Sequence, residues 1–517
     1  MFADRALGLG LEHPRILHIR AAARERSGDL RGVLADLEEA HRLDSDNPGI
    51  ANALGVALTL AGRAREAAAL LEQATVVAPE LAATWFNLGG ARMACGWMAE
   101  AEGAYRRSVE LDPANAAALA KLAVLAIHRG NPDAALDHAA RALTLDPTEP
   151  EARRALIEAA IEQKRPSDAE REARAWSSTP GLGPNARIHA LGLLGDALDA
   201  QGRYGEAFAA YAGSKAAFAA ANQPTFATLD TNPLSDTLGQ VQREFDATPS
   251  EAWRAPDAPE EGPSAKGHIF LMGFMRSGTT LLEQAVARHP DVVTIEELET
   301  LARSGGALIG QPGGLAQISQ FNTADIEAAR AAYWRAVADA GIAAEGKVVI
   351  DKLPFNGIKL PLIAKLFPDA KVIFAIRDPR DVVLSCFQKR LPPNGFSYEM
   401  RTVEGAARFY AAYMELVQAY RARLAIPILD HRHELLIADV RGSIEEACRF
   451  IGIDFWPEMV NFQDAARSGR VMSQSSRQLG EGLTARGAGH WRHYAAELAP
   501  VLPVLQPWVS SYGYSQD

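Results

Sequence analysis

The stretch Gly273-Phe274-Met275-Arg276-Ser277-Gly278-Thr279-Thr280 follows a short apolar run, His268–Met272, and opens onto a helical pattern, Thr279–Arg288. Strand, glycine-bearing turn and helix in that order set the fold class of this half of the chain. The glycines permit a tight turn, and backbone N–H groups beside a helix N-terminus form a ready anion site, so a phosphate is expected there. Val348–Ile350 and Lys371–Ile376 read as further buried strands, with helical patterns at Gly357–Phe367 and Pro379–Lys389. This alternation predicts a central parallel sheet covered by helices, an α/β P-loop-like domain. A purely structural turn is the bland alternative, and Arg276 within the turn weighs against it.

The spacing G-x-x-x-x-G also matches the Walker A loop, but Thr279 stands where the lysine that reaches the β- and γ-phosphates belongs. That replacement argues against hydrolysis of ATP or GTP. R-S-G-T-T after a strand resembles the 5′-phosphosulfate loop of sulfotransferases. The resemblance runs from Gly267 to Tyr514 and implies 3′-phosphoadenosine 5′-phosphosulfate as donor, bound by Arg276, Ser277, Gly278, Thr279 and Thr280. His289-Pro290-Asp291-Val292 followed by Glu296-Glu297 is similar to the tyrosylprotein sulfotransferase branch, which implies Glu297 as catalytic base. On the residues alone, Glu296, Glu297 and Glu299 read as a charged helix start. Asp351-Lys352-Leu353-Pro354 resembles the lysine-bearing segment of that family, and implies Lys352 and Arg276 as the cations that stabilise the leaving oxygen. Ile376-Arg377-Asp378-Pro379-Arg380-Asp381 with Ser385 matches the 3′-phosphate signature, implying that Arg377 and Ser385 hold that phosphate. Arg380 and Asp381 read as scaffold. Ser473–Leu479 and Gly489–Tyr494 resemble the segment that closes over the nucleotide, with Ser475 as its contact. The chain departs from the family at Met275, where proline is common, at Glu299, where arginine is common, and at Ile437-Ala438-Asp439-Val440, in place of Y-E-D-L.

The region 1–210 has a different texture, dense in alanine and repeating with a period of about 34 residues. Gly28, Gly62, Gly96 and Gly130 share that step, as do Ala67, Ala101, Ala135 and Ala169, and Pro79, Pro113 and Pro147. Each unit reads as helix, glycine turn, helix and proline-marked turn, which resembles the tetratricopeptide repeat. After Ala169 the register slips: the next comparable turn is at Gly202 and not at Leu198, where the period would place it, and an insertion near Ser177–Pro184 accounts for the slip. Such an array implies binding of a protein or peptide, with a dimerisation surface or rigid spacer as the alternative. Pro249, Pro256, Pro259 and Pro263, with Asp257, Glu260 and Glu261 among them, have linker composition. The domains expected are an all-α repeat superhelix over 1–219, a linker over 220–266 and the transferase over 267–517. In the resembled family the fusion is a bacterial arrangement.

The chain has 517 residues, 48% of them hydrophobic and 23% charged, with a net charge of −11. That profile fits a folded multidomain protein without an electrostatic pull toward nucleic acid or anionic lipid. The residues Met1–Arg20 lack an unbroken apolar core of a secretory signal, and no stretch reaches the ~18 uncharged apolar residues of a membrane span, so a cytoplasmic location is expected. Cys95, Cys386 and Cys448 are too far apart for a metal-ligand set and read as reduced core thiols. No metal is expected, and Phe409, Tyr410 and Tyr413 follow helical spacing as core residues. The function implied is transfer of a sulfonate group to an acceptor hydroxyl, protein tyrosine being one such acceptor. Two alternatives stay open on the residues: a P-loop phosphotransferase, and a repeat scaffold carrying a nucleotide-binding remnant.

Overall fold

The computed structural model describes residues 3–4, 11–254, 263–461 and 487–515. Contacts divide the described chain into two compact units, one up to Glu172 and one from Ala173 onward. The first is built from helix pairs: α1 (Pro14–Glu25) with α2 (Leu30–Leu43), α3 (Pro48–Leu60) with α4 (Ala64–Val77), α5 (Ala82–Ala94) with α6 (Met98–Leu111), and α7 (Ala116–His128) with α8 (Pro132–Leu145). A fifth pair, α9 (Pro150–Glu162) and α10 (Pro166–Ser177), runs across the division.

Within each pair the chain reverses through one left-handed residue, and this is why glycine repeats: Gly28, Gly62, Gly96 and Gly130 have φ of 76°, 78°, 82° and 66°. The fifth turn keeps the conformation without the residue, since Lys164 stands at the next periodic position with φ of 57°. Small side chains let paired helices touch. A Cβ on Gly55 would lie 2.5 Å from the Leu71 side chain, and one on Gly89 2.7 Å from the Tyr105 ring. Ala67, Ala101 and Ala135, the periodic alanines, are fully buried. Asn47 and Asn131 cap α3 and α8 with their side chains, each just ahead of a proline in the first helical turn.

The second unit begins with the end of α10 and with a sixth pair, α11 (Pro184–Asp199) and α12 (Tyr204–Ala221), joined through Gly202 at φ 73°. Gly195 meets Tyr211 as Gly89 meets Tyr105, with a virtual Cβ 2.5 Å from the ring. The longer step ahead of this turn arises largely because α11 has 16 residues where α9 has 13. This pair belongs to the same compact unit as the sheet. Asp199 accepts from His490 Nε2 at 2.9 Å and from the Tyr494 hydroxyl, and Lys215 Nζ donates to the Lys389 carbonyl at 2.6 Å. Helix α13 (Leu234–Ala247), inside the stretch 220–266, packs Phe245 against Trp253 and Tyr420.

Five parallel strands form the sheet, in the order β2-β3-β1-β4-β5: β1 is Gly267–Gly273, β2 Val292–Glu296, β3 Val348–Lys352, β4 Lys371–Ile376 and β5 Ile428–Arg432. The three strands expected from the sequence are β1, β3 and β4, the interior of the sheet, whose residues are almost all buried. The two edge strands carry mixed polar and apolar residues and gave no clear apolar run. Helix α14 (Thr279–Val286) leaves the loop after β1, α15 (Thr323–Asp339) precedes β3, and α16 (Pro379–Gln388) leaves β4. They are followed by α17 (Val403–Arg421), α18 (His433–Ala438) and α19 (Val440–Ile451). Phe409, Tyr410 and Tyr413 are buried on α17 and surround Phe274. Cys386 and Cys448 are buried, but Cys95 is partly exposed, because it closes α5 where the chain turns outward to Gly96.

Candidate active site

Parallel strands aim their C-terminal ends at one edge of the sheet, where an open α/β fold places its ligands. Here β1 ends in the loop Phe274–Gly278, β2 in Glu296-Glu297, β3 in Asp351-Lys352 and β4 in front of Arg377. The loop is held from below: Tyr413 donates its hydroxyl to the Gly273 carbonyl at 3.1 Å, with the Pro354 carbonyl at 3.2 Å. Gly273, the last residue of β1, and Gly278 in the loop sit where no side chain fits. A Cβ on Gly273 would come 2.6 Å from the Ala375 carbonyl oxygen, and one on Gly278, at φ 99°, 2.4 Å from His433 Nδ1.

Among the described residues three that are not glycine have positive φ, and two of them are Arg276 (70°) and Glu297 (51°). Left-handed backbone is costly for such residues and persists where packing fixes it, commonly at functional positions. Arg276 Nε donates to Ser385 Oγ at 3.0 Å, and Arg377 donates to the Arg276 carbonyl at 3.2 Å and to the Gly487 carbonyl at 2.5 Å. Ser277, Thr279 and Thr280 are buried at the start of α14, and Arg377 is buried beside them. Burial lowers the Arg276 guanidinium to about 10, and the neighbouring Arg377 charge acts in the same direction. One guanidinium thus belongs to the loop and a second, Arg377, is bound to the loop's Arg276 carbonyl. Arg377 Nε, itself buried, has no hydrogen-bond partner among the described residues. This donor set fits the phosphates of an anionic nucleotide.

On the other side of β1, Lys352 is fully buried and its Nζ lies 2.8 Å from Glu297 Oε1, 3.2 Å from Glu283 Oε2 and 3.7 Å from Glu296 Oε1. The Glu297 side chain is 49% exposed, so it stands at the mouth while Lys352 and Glu283 lie behind it. Burial would lower the Lys352 ammonium, but Glu283 and Glu297 outweigh it and raise its pKa. Glu296 ends β2 and does not open a helix, in contrast to the plain reading of that acidic run. Beneath, Asp351 is buried and accepts from Thr300 Oγ1 at 2.7 Å, Tyr333 at 3.0 Å and Asn356 at 3.3 Å, tying the Glu297 loop to β3. Burial pushes the Asp351 carboxyl up to about 6.

The expected residues therefore fall into two groups, with Arg276, Ser277, Gly278, Thr279, Thr280, Arg377 and Ser385 in one and Lys352 with Glu297 in the other. Ser475 lies outside the described residues. Asp381 accepts from the backbone of Gly489 at 2.6 Å and Trp491 at 2.8 Å, while the Arg380 guanidinium lies 3.8 Å from the Trp491 ring centre. Glu299 pairs with Lys359 at 2.5 Å, away from the Lys352 cluster. Two residues at the site, Glu283 and Glu434, were not singled out from sequence, and a third, His433, reads there only as half of a close surface pair with His431. Glu283 is hidden in an otherwise ordinary helical pattern. The other two had a signal, because His433-Glu434-Leu435-Leu436 leaves β5 and agrees with Y-E-D-L at its second and fourth places, just ahead of Ile437–Val440. Glu434 accepts from the Asp378 N–H at 2.9 Å and from the Tyr514 hydroxyl at 2.8 Å.

Residues 268–458 match the sulfotransferase family, and 82–115 and 126–191 match tetratricopeptide repeats. The chain carries a sulfotransferase-family domain behind tetratricopeptide repeats. It is 26% identical over 260 residues to an uncharacterized protein of Aquifex aeolicus, covering 47% of this chain and 33% of that one. It is 29% identical over 157 residues to nodulation protein NoeE of Sinorhizobium fredii, covering 26% and 36%. Protein-tyrosine sulfotransferase 2 of Gallus gallus is 22% identical over 263 residues, covering 48% of this chain and 69% of the relative. The chain thus spans about a third of the first two of these relatives. Among solved structures, a thermophilic tetratricopeptide-repeat protein of Thermus thermophilus aligns with a TM-score of 0.32 at 17% identity, over 35% of this chain and 98% of that one. The type IV pilus biogenesis factor PilW aligns with a TM-score of 0.36 at 20% identity, over 40% and 93%. No helix among the described residues is long and apolar enough to cross a membrane.

Proposed function

We propose that the sulfotransferase-family domain moves a sulfonate group from 3′-phosphoadenosine 5′-phosphosulfate to an acceptor hydroxyl. The observation that carries this reading is the paired geometry at one sheet edge: a loop that contains Arg276 and is bound by Arg377, and on the other side of β1 a buried lysine 2.8 Å from a half-exposed glutamate. Arg377 and Ser385 would hold the 3′-phosphate, and the loop from Arg276 to Thr280 the 5′-phosphosulfate. Glu297 takes the acceptor's proton as the acceptor oxygen attacks sulfur. The bond from sulfur to the 5′-phosphate oxygen breaks, and Lys352 and Arg276 stabilise the charge left on that oxygen. The products are the sulfated acceptor and 3′-phosphoadenosine 5′-phosphate. Thr279, in place of a Walker lysine, disfavours nucleoside triphosphate chemistry. The repeats would bring a protein partner or the acceptor itself, and likeness to a protein-tyrosine sulfotransferase makes a tyrosine peptide the first acceptor to try.

Calorimetric titration with 3′-phosphoadenosine 5′-phosphate tests the donor. Binding in the micromolar range, ~8 kcal/mol, that is lost in Arg377→Ala and not displaced by ATP is the expected result. Absence of binding, or tighter binding of ATP, refutes the reading.

A further inference from the structure

Glu283 has no task in the reaction proposed above, yet its placement demands one. Every residue of α14 is buried, and Glu283 lies among Leu281, Leu282, Ala285 and Val286 with 1% of its surface exposed. An apolar side chain is the stable choice in such a place, because a buried carboxyl loses its hydration. Its Oε2 lies 3.2 Å from Lys352 Nζ, within ion-pair range but not aligned as a hydrogen bond. The ammonium therefore sits between a carboxyl fixed in the core and one, Glu297, that reaches the mouth of the site. Glu297 holds Lys352 through Oε1, and once it has taken the acceptor's proton it is neutral and holds the ammonium less strongly. As that hold weakens, the contact that remains on the buried side of the ammonium is Glu283.

We propose that Glu283 is a positioning residue for sulfonate transfer, fixing Lys352 Nζ from the core side so that the ammonium stays at the reacting oxygen when Glu297 releases it. This rests on the sulfotransfer reading of the same site. The charged groups facing Glu283 are Lys352 on β3 and Glu296 and Glu297 at the end of β2. Burial pushes its carboxyl up to about 8, against the pull of Lys352 and with the help of Glu296 and Glu297. At neutral pH its protonated carboxyl holds the ammonium by an ion–dipole contact at 3.2 Å and places no buried negative charge in the path of an anionic donor. Above that pH it ionises and competes with the donor for Lys352, so turnover falls.

The test is release of labelled sulfate from 3′-phosphoadenosine 5′-phosphosulfate by the full chain, with water as acceptor, together with calorimetry of 3′-phosphoadenosine 5′-phosphate. Glu283→Gln keeps a neutral oxygen toward the ammonium. It should hold kcat at pH 7 within about threefold of the native chain and lose the alkaline fall near pH 8. Glu283→Leu should lower kcat roughly tenfold or more with the donor KM unchanged. A Glu283→Leu chain with native kcat, a change confined to KM, or an alkaline fall that survives in Glu283→Gln overturns the inference. If Glu283→Leu does not fold, the pH profile of Glu283→Gln alone decides. A native chain that binds no 3′-phosphoadenosine 5′-phosphate overturns the sulfotransfer reading itself, and the positioning role with it.

Discussion

Lys352→Met removes the one cation among three carboxylates and leaves a stem of similar length, so the loss reports the charge state behind it. Breaking a buried ion pair ordinarily costs ~3–5 kcal/mol, because the partner is stranded with its charge. Here the buried partner is Glu283, whose carboxyl sits at about 8 and carries its proton at pH 7. Glu297 is half exposed and can turn to water, so the loss of its partner strands no charge and costs no more than about 1 kcal/mol. The expected loss at pH 7 is therefore about 1 kcal/mol, seen as a fall of ~3 °C in the unfolding midpoint. Glu283 is raised in the folded state, so its contribution is full below the ordinary carboxyl range and is lost as pH rises to about 8, then stays level. Lys352 holds that value down, and without it the loss continues beyond pH 8 at about 1.36 kcal/mol for each pH unit. The gap between native and variant should widen from pH 8 to 10, and the double variant with Glu283→Leu should not widen. Differential scanning calorimetry across that range measures it. A fall of ~10 °C or more already at pH 7, with no widening above, would show that Glu283 is ionised beside Lys352 and refute the reasoning.

Gly278→Ala forces a Cβ to 2.4 Å from His433 Nδ1 at φ 99°, and should cost roughly 1–3 kcal/mol while weakening 3′-phosphoadenosine 5′-phosphate at least tenfold by calorimetry. Asp199→Asn should destabilise by about 1–2 kcal/mol, more at pH 6 than at pH 9. His490 is raised chiefly by its hydrogen bond to Asp199, so that stabilisation is present below the ordinary histidine range and lost as pH rises through the folded value. Thermal unfolding at the two pH values measures the difference.

How much of this was legible in the sequence depended on how local each cause is. A left-handed turn inside every helix pair favours glycine at nearly every turn, so the period could be read directly; Lys164, with φ of 57°, shows the same turn persisting without glycine. Strands β1, β3 and β4 are buried on both faces and form continuous apolar runs, whereas β2 and β5, at the edges, satisfy one side with polar residues and leave no such run. The loop after β1 was visible because all its residues come from one segment.

Glu283 was invisible for the opposite reason. Its meaning comes from Lys352, distant along the chain and on a strand that pairs in parallel with β1, so that α14, rising from β1, and the end of β3 converge only in the folded sheet. The same register explains the two groups of residues. With β1 between β3 and β4, the loop that leaves it is flanked by Lys352 at the end of one neighbour and by Arg377 just beyond the other. A donor with charge at both ends would lie across the end of β1, with one end toward Arg377 and the reacting end toward Lys352. Under the proposed sulfonate transfer, the strand order would direct the sulfonate toward β2 and the exposed carboxylate of Glu297.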